Sequence, residues 1–321
     1  MRGLFALALG VLTAGCGNGS SGGGGGSGGT GGGGSGGSGG GGGAPGSSSN
    51  CPTVFPSTNA WNSDISGADV DPMSAQYIAS IGAATGLHND FDAIGDGIPY
   101  VIVPKDQKPV AVSFVDYADE SDPGPYPIPD DAPVENGGDH HVIVVDGGNC
   151  RLYELFNASK TAAGWQASNG AKWDLSSDAG RTPGWTSADA AGLPIFPGLV
   201  RYDEVMSGEI KHALRFTIVN SQKGYVAPAT HFASSKTDPN LPPMGLRVRL
   251  KASVDISGYP ASTQVILAAM KKYGMIVADN GSNWYVSGAP DARWLDDDLA
   301  KMSKIKGSDF EVVKHGPITT Q

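Results

Sequence analysis

The histidines and carboxylates around positions 139–154 have the residue types needed for acid–base chemistry. Asp139, His140 and His141 open an apolar strand, and Glu154 lies in the strand that follows across a glycine turn. In a tight hairpin Glu154 lies opposite position 142 or 143, and so it shares a face with His140 or His141. A carboxylate beside an imidazole can do general acid–base work or hold a metal. A solvated outer face, where such pairs are common, explains the same pattern.

A second polar group surrounds a later apolar strand, predicted over residues 211–219. Alternation along this strand places His212 on the apolar face and Arg215 on the opposite face. Asp203 and Glu204 precede the strand and can supply an acid–base pair. A core histidine and carboxylates that cap a turn are the alternative interpretation.

These two groups suggest a mechanism for the cleavage of a glycosidic bond. Enzymes that cleave such bonds usually place two carboxylates on either side of the bond. We expect Glu154 to form this pair with either Asp203 or Glu204. His212 and Arg215 are expected to orient the two carboxylates.

Further polar and aromatic residues are candidates for binding the substrate. A proline-rich loop carries Tyr117, Asp119 and Tyr126, whose rings and carboxylate could line a sugar groove. The loop could equally bind calcium, which prefers oxygen ligands, or form a stiff surface crossover. His231 lies in another proline-bounded loop. It is a candidate because binding and catalytic residues occur disproportionately on loops. Asp139 and His141 complete the predicted substrate-binding set.

The metal content of such a site stays open. His231, His212 and one of His140 and His141 could form a three-histidine site of the catalytic-metal type. Residues 51–321 contain no nucleophile elbow, phosphate-binding loop, dinucleotide fingerprint or His-Glu-x-x-His motif. We therefore expect no cofactor.

Charge excludes some classes of partner. The net charge is −10 and the pI is near 4.9. Binding to nucleic acid without regard to sequence needs a dense basic face, so no nucleic-acid partner is expected. Electrostatic attraction to anionic lipid headgroups is disfavoured for the same reason.

The N-terminus resembles a bacterial lipoprotein signal. A positive start and an apolar run, Leu4 to Val11, lead to Leu12-Thr13-Ala14-Gly15-Cys16. This predicts a signal peptide over residues 1–15 and an acylated Cys16 that anchors the protein in a lipid bilayer outside the cytoplasm. A plain secretory signal cleaved nearby is the alternative.

The segment 16–50 is predicted to be a flexible tether. It consists almost entirely of glycine and serine, and such chains cannot bury enough surface to fold. Residues 51–321 then form one extracytoplasmic domain. In an oxidising compartment Cys51 and Cys150 are expected to form a disulfide, and two separate buried thiols are the alternative.

The pattern of the domain predicts a mainly β fold. Short strands rich in β-branched residues are separated by proline, glycine and aspartate turns. Hairpin turns are predicted at 146–149 and 279–281, and helices at 73–81 and 260–273. We expect a single β-sandwich or jelly-roll-like domain with two or three short peripheral helices.

Several stretches resemble a family of uncharacterised secreted bacterial proteins. They are Asn59-Ala60-Trp61-Asn62, Val70-Asp71-Pro72, Tyr77 to Gly82, Leu87 to Phe91, Gly97 to Tyr100, Trp185 to Pro194, Arg201 to Glu204, His212 to Phe216 and Asp279 to Tyr285. The resemblance implies one unit spanning nearly the whole domain, and it brings no known activity.

Together these features predict a surface-anchored, carbohydrate-active domain that cleaves glycosidic bonds and has polysaccharide as its partner. A non-catalytic glycan-binding or adhesion module would use the same aromatic and acidic residues without an acid–base pair. A structural protein of the cell envelope, with its histidines in the core, is the third hypothesis.

Overall fold

A computed structural model describes residues 54–321, which contain thirteen strands and four short α-helices. The strands are β1 (His88–Asp90), β2 (Tyr100–Val103), β3 (Val112–Phe114), β4 (Val142–Asp146), β5 (Arg151–Phe156), β6 (Ser159–Thr161), β7 (Gly164–Ala167), β8 (Asn169–Asp174), β9 (Leu214–Ile218), β10 (Arg247–Leu250), β11 (Met275–Asn280), β12 (Tyr285–Ser287) and β13 (Phe310–Val312). The α-helices are α1 (Ser74–Ile81), α2 (Tyr202–Met206), α3 (Ala261–Lys272) and α4 (Asp296–Leu299). Short 3-10 helices cover Ala60–Asn62, Ala118–Glu120, Phe196–Gly198, Ala300–Lys304 and Gly307–Asp309. The predicted mainly β class is confirmed.

The strands form three sheets. The largest has six strands in the order β1-β12-β9-β11-β10-β13, and the others have the orders β2-β4-β5-β8 and β3-β7-β6. The six-stranded sheet is mixed, because β1 pairs with β12 and β9 pairs with β11 in parallel. Its neighbouring strands therefore come from distant parts of the chain.

The hairpin predicted at 146–149 is confirmed. Strands β4 and β5 pair antiparallel, with Ile143 opposite Glu154. The hairpin predicted at 279–281 is wrong, since β11 and β12 lie on opposite sides of β9 and pair with it instead of with each other. The turn sequence at Asn280 and Gly281 is present, but β9 inserts between the two strands.

The two main helices begin and end within one residue of the bounds that local sequence predicts. The Asp71 carboxylate accepts a hydrogen bond from the amide of Met73 just before α1, and Gly82 ends that helix with φ of +110°. In α3 the side chains of Ile266 and Met270 are fully buried. Helix α3 therefore packs its apolar stripe against the core, as its spacing predicts.

One face of the six-stranded sheet forms the centre of the main core. Leu214, Phe216 and Ile218 of β9 are fully buried. The Trp284 ring stacks on Phe216 at 5.5 Å and on Phe310 at 5.1 Å. Each such side chain contributes roughly 1.5–3 kcal/mol through burial. None of the helices formed by residues 54–321 is both long and apolar enough to span a bilayer.

Candidate functional site

A β-bulge turns Asp279 towards the polar face of the six-stranded sheet. Val277 pairs with Phe216, and the next pair joins Asp279 to Thr217, so Ala278 is the extra residue. Because side chains alternate along a strand, regular pairing would place Asp279 on the same face as Phe216, which is the core face. The bulge instead places Asp279 on the face of Thr217.

Polar residues of four adjacent strands share that face. Thr217 pairs with both Asp279 and Tyr285, and Tyr285 pairs with His88. The set comprises His88 and Asp90 of β1, Tyr285 and Ser287 of β12, Arg215 and Thr217 of β9, and Asp279 of β11. A sheet face that carries so many polar groups above an apolar core is suited to binding rather than to packing.

A cavity of about 260 Å³ lies over this face. Asp90, Arg215, Asp279 and Tyr285 line it from the six-stranded sheet. The segment that leads into β4 lines it from the other side with Glu135, Asp139 and His141. The cavity thus joins the six-stranded sheet to the start of the four-stranded one.

Arg215 is the central cation of the cavity. Its Nε and Nη2 donate to the two carboxylate oxygens of Asp189 at 2.8 and 2.9 Å, and its Nη1 donates to Ser287 Oγ at 2.5 Å. Asp189 has no exposed surface, and Arg215 is 4% exposed. Asp279 lies farther away, with 3.5 Å between its Oδ2 and Arg215 Nη2. The positive charge of Arg215 is therefore directed mainly at Asp189.

The environment of Asp279 favours its protonated form. Burial is the main cause, and it raises the pKa of Asp279. The negative charge of Asp189 raises this pKa further, by more than the positive charge of Arg215 lowers it. The pKa of Asp279 is therefore about 7. The side chain is 22% exposed and reaches the cavity. Desolvation by the surrounding protein also raises the pKa of Asp90, although that residue remains exposed at the surface. Asp279 can therefore donate a proton near neutral pH.

His141 forms a buried ion pair with Glu135. Its Nδ1 lies 2.6 Å from Glu135 Oε2 and its Nε2 lies 3.1 Å from the carbonyl oxygen of Ala188. Burial lowers the pKa of His141, but the hydrogen bond and charge of Glu135 outweigh burial and raise it above the ordinary 6.5. Both ring nitrogens face acceptors, so the imidazolium form satisfies both contacts. His141 therefore holds the segment over the cavity and has no nitrogen free to act as a base.

Two carboxylates of the cavity remain available to a ligand. The side chains of Asp90 and Asp139 form no hydrogen bond or ion pair with any of residues 54–321. Both residues are exposed. They differ in this from Glu135, Asp189 and Asp279, which contact protein donors. Asp90 and Asp139 can therefore accept hydrogen bonds from substrate hydroxyls or activate a water molecule.

The structure brings together three of the residues chosen from sequence. Asp139, His141 and Arg215 line this cavity. Arg215 was expected to orient Glu154 and a carboxylate at position 203 or 204, whereas its carboxylate partners are Asp189 and Asp279.

Glu154 occupies a structural position instead of a cleft. The sequence allowed a solvated outer face, but the residue has no exposed surface. It accepts hydrogen bonds from the amides of Ile195 and Phe196 and from the indole of Trp173. Burial raises the pKa of Glu154 to about 7. A substrate cannot reach this carboxylate, so pairing it with Asp203 or Glu204 across a scissile bond does not fit the structure.

The second predicted group forms its own network of ion pairs. Glu204 lies 2.6 Å from Arg201 Nη2 and 3.2 Å from His212 Nε2. Burial opposes ionisation of Glu204, but Arg201 and His212 lower its pKa to about 2. Asp203 lies 3.0 Å from Arg293 Nη1 at the surface. These contacts fix helix α2. The cavity of Asp279 is not lined by Asp203, Glu204 or His212.

The predicted sugar-binding loop is held largely by packing. Tyr126 has no exposed surface, and its hydroxyl donates to the carbonyl oxygen of Asp122, so its ring is not free to stack on a sugar. Arg181 holds the loop by pairing with Asp122 at 2.7 Å. Tyr117 and Asp119 are exposed but are not lining residues of the cavity. His231 Nδ1 donates to the carbonyl oxygen of Ala190.

The four histidines considered for a metal site each have their own protein partners. Within residues 54–321 no three histidine, cysteine, aspartate or glutamate side chains are arranged to hold a metal ion. Cys16 and Cys51 lie outside the described residues, and Cys150 is buried. The lipidation and the disulfide therefore stay predictions.

Sequence reasoning missed Asp90, Glu135, Asp189, Asp279 and Tyr285. A signal existed, because Asp90, Asp189, Asp279 and Tyr285 all lie in the stretches for which the sequence predicts a resemblance to secreted bacterial proteins. The sequence places Asp279 in a hairpin turn, and nothing in it predicts that β9 inserts between β11 and β12.

The chain was compared with protein-family models, curated proteins and solved structures, and none of them matches it. The function must therefore be argued from the geometry of the cavity.

Proposed function

We propose that this protein cleaves glycosidic bonds and that its active site is the cavity lined by Asp279, Asp139 and Asp90. Asp279 is the general acid that protonates the leaving oxygen. Asp139 is the second carboxylate, which activates water or attacks the sugar carbon. The observation that carries the proposal is the meeting of a carboxyl with a pKa of about 7 and two unpaired carboxylates in one cavity.

The electrostatics support this division of roles. General acids work best when their pKa lies near the working pH, and the pKa of Asp279 meets this condition. The charge of Asp139 contributes to raising the pKa of Asp279, so the two carboxyls lie close enough to influence one another. Asp139 is exposed and has no protein donor to compete with a reacting group.

Tyr285 supplies an aromatic surface for the substrate. Its ring stacks on His88 with 4.0 Å between ring centroids and 28° between the planes, which fixes its orientation. Tyr285 is partly exposed and lines the cavity. Sugar rings pack on aromatic faces, and carboxylates accept hydrogen bonds from sugar hydroxyls. An aromatic ring beside three carboxyls therefore favours a glycan over a lipid or an apolar ligand.

A non-catalytic glycan-binding module is the second candidate. The same ring and carboxylates would bind sugar, and the engagement of both His141 nitrogens by protein acceptors would then serve rigidity alone. A structural envelope protein is the third candidate, and the buried pairings of His141 and His212 fit it. These candidates differ from the first in whether bonds are broken.

The setting of the site is part of the proposal. Acylation of Cys16 and a Gly/Ser tether would hold the domain outside the cytoplasm, where polysaccharides are accessible. A jelly-roll-like sandwich is retained as a hypothesis for the scaffold, although parallel pairs such as β9–β11 depart from the antiparallel pairing typical of jelly rolls.

The test is an assay of the full chain against a panel of soluble polysaccharides, scored for retention and for new reducing ends. Asp279→Asn and Asp139→Asn should each lower the rate of cleavage at least about a hundredfold, since general acid–base catalysis contributes 10²–10⁴-fold. Asp203→Asn is the matched control, because Asp203 is a partly exposed carboxylate paired with Arg293 outside the cavity.

The outcomes separate the candidates. New reducing ends that vanish in the two cavity variants and persist in Asp203→Asn support the enzyme. Loss of cleavage in Asp203→Asn alone would contradict the assignment of the cavity. Retention without cleavage would establish the binding module, and neither retention nor cleavage would favour the structural protein.

A further inference from the structure

A second cavity, of about 370 Å³, adjoins the proposed active site. Strand β1 and the loop after it form one wall, and Asp296, Ala300 and Ser303 of the α4 region form the other. Asp90 lines both cavities. The two spaces therefore share one of the unpaired carboxylates of the active site as a lining group.

An aromatic pair marks the same junction. His88 lines the second cavity, and Tyr285 lines the first. Their rings stack on one another at 4.0 Å. A ligand that passes Asp90 from one cavity into the other would thus pass the two rings in turn, and aromatic rings are suitable supports for sugar units.

The second cavity also offers hydrogen-bond acceptors that the protein leaves unused. The side chain of Asp96 has no partner among residues 54–321. Asp92 uses only its Oδ1, which accepts from the amides of Ile94, Gly95 and Asp96. Sugar hydroxyls are the donors that such acceptors need.

A metal ion does not account for these carboxylates. In the part of the chain that the structure describes, no three acidic, histidine or cysteine side chains are arranged to hold one. An occupant with many hydrogen-bond donors and flat faces fits the groups present better than a single ion.

We propose that the second cavity is a subsite for further sugar units of a polymeric glycan whose cleaved bond lies in the first cavity. This inference rests on the proposed function. It assigns the substrate class as a polysaccharide that extends past Asp90, and it makes β1 the strand along which the chain is held.

The test uses the full chain and four ladders of oligosaccharides, built from glucose, mannose, xylose and arabinose, each with two to six units. Affinity is measured by calorimetry. Ala300→Trp fills the second cavity from an exposed position without changing a carboxylate. Lys301→Trp is the matched control, because Lys301 is exposed and is not a lining residue. Asp96→Ala removes one acceptor and leaves the volume open.

For at least one ladder, affinity should rise about tenfold or more from the shortest to the longest member. Ala300→Trp should abolish this gain, Asp96→Ala should reduce it, and Lys301→Trp should leave it unchanged. Thermal unfolding shows that each variant is folded.

Equal affinity at every length, or a length gain that survives both cavity variants, would overturn the subsite. A length gain lost in Ala300→Trp, in a protein that releases no reducing ends, would support the subsite and contradict the enzyme. Cleavage without any dependence of affinity on length would support the enzyme and contradict the subsite. Absence of all binding would overturn both.

Discussion

Arg215 pairs closely with Asp189 and only at longer range with Asp279. The guanidinium donates to both Asp189 oxygens at 2.8 and 2.9 Å, whereas Asp279 lies 3.5 Å away. Burial is the main reason that the pKa of Asp279 rises to about 7, and the repulsion of Asp189, which outweighs the attraction of Arg215, raises it further. The fully buried Asp189 thus helps to set the protonation state of a residue at the cavity surface.

Asp189→Asn should lower the pKa of Asp279 from about 7 towards the ordinary 3.8, because the substitution removes a negative charge and frees Arg215. Carboxyl NMR titration measures this directly. Since the protonated acid is the active form, the rate of cleavage falls as the pH rises through the pKa of Asp279. In Asp189→Asn this fall should begin at a lower pH than in the natural protein. Asp189→Glu keeps the charge and is the control. An unchanged titration midpoint in a folded Asp189→Asn protein would show that Asp189 does not control Asp279.

Tyr285→Ala should weaken oligosaccharide binding about fivefold, because a stacking face worth roughly 1 kcal/mol is lost. Tyr285→Phe keeps the face and should bind nearly as well as the natural protein. Calorimetry with the best-bound oligosaccharide compares the two. Equal weakening by both substitutions would mean that the hydroxyl, and not the ring, binds the sugar.

Glu135→Gln should destabilise the fold by about 3 kcal/mol, because it leaves the buried charge of His141 without its partner. The folded pKa of His141 is raised above 6.5 and that of Glu135 is lowered below 4.5. The pair therefore stabilises the fold fully between these two values. Its contribution is lost above the folded pKa of His141 and below the folded pKa of Glu135.

Urea unfolding at about pH 5.5 and about pH 8.5 measures this effect. The difference between Glu135→Gln and the natural protein should be larger at the lower of the two pH values. An equal difference at both would indicate that the contact acts as a neutral hydrogen bond.

Glu154→Gln tests the structural role of the buried glutamate. Its folded pKa is raised from 4.5 to about 7, so its contribution to stability is fully present below 4.5 and is lost as the pH rises through 7. The natural protein should lose roughly 3 kcal/mol over this range from this group alone. Glu154→Gln should lack this loss, whereas its cleavage of glycans should persist. A variant that stays folded but loses all cleavage would return Glu154 to the catalytic set.

Local interactions made much of the architecture predictable. The helix that ends at Gly82 and the buried stripe of α3 follow from capping groups and apolar spacing within a few residues. The register of the β4–β5 hairpin follows from the length of its turn. Each of these depends on residues that are neighbours in the chain.

The candidate site was only partly predictable because its residues come from separate segments. Asp139, His141 and Arg215 were identified as unexpected polar groups beside apolar strands. Their partners were not, since a carboxylate such as Asp189 or Asp279 looks the same in a turn and in a buried ion pair. The prediction for Glu154 was wrong for a different reason. Alternation along the strand shows which residues share its sheet face, but it does not show that other parts of the chain bury that face.

The sequence by itself determined the β-rich class, the main helices, the first hairpin and three of the polar residues that line the cavity. Tertiary structure decided which of them meet. The parallel pairing of β1 with β12 and of β9 with β11 brings Asp90, Tyr285, Arg215 and Asp279 onto one face, and the bulge at Ala278 turns Asp279 towards the cavity. Contacts between distant strands are selected by the packing of the whole core, so no local pattern specifies them.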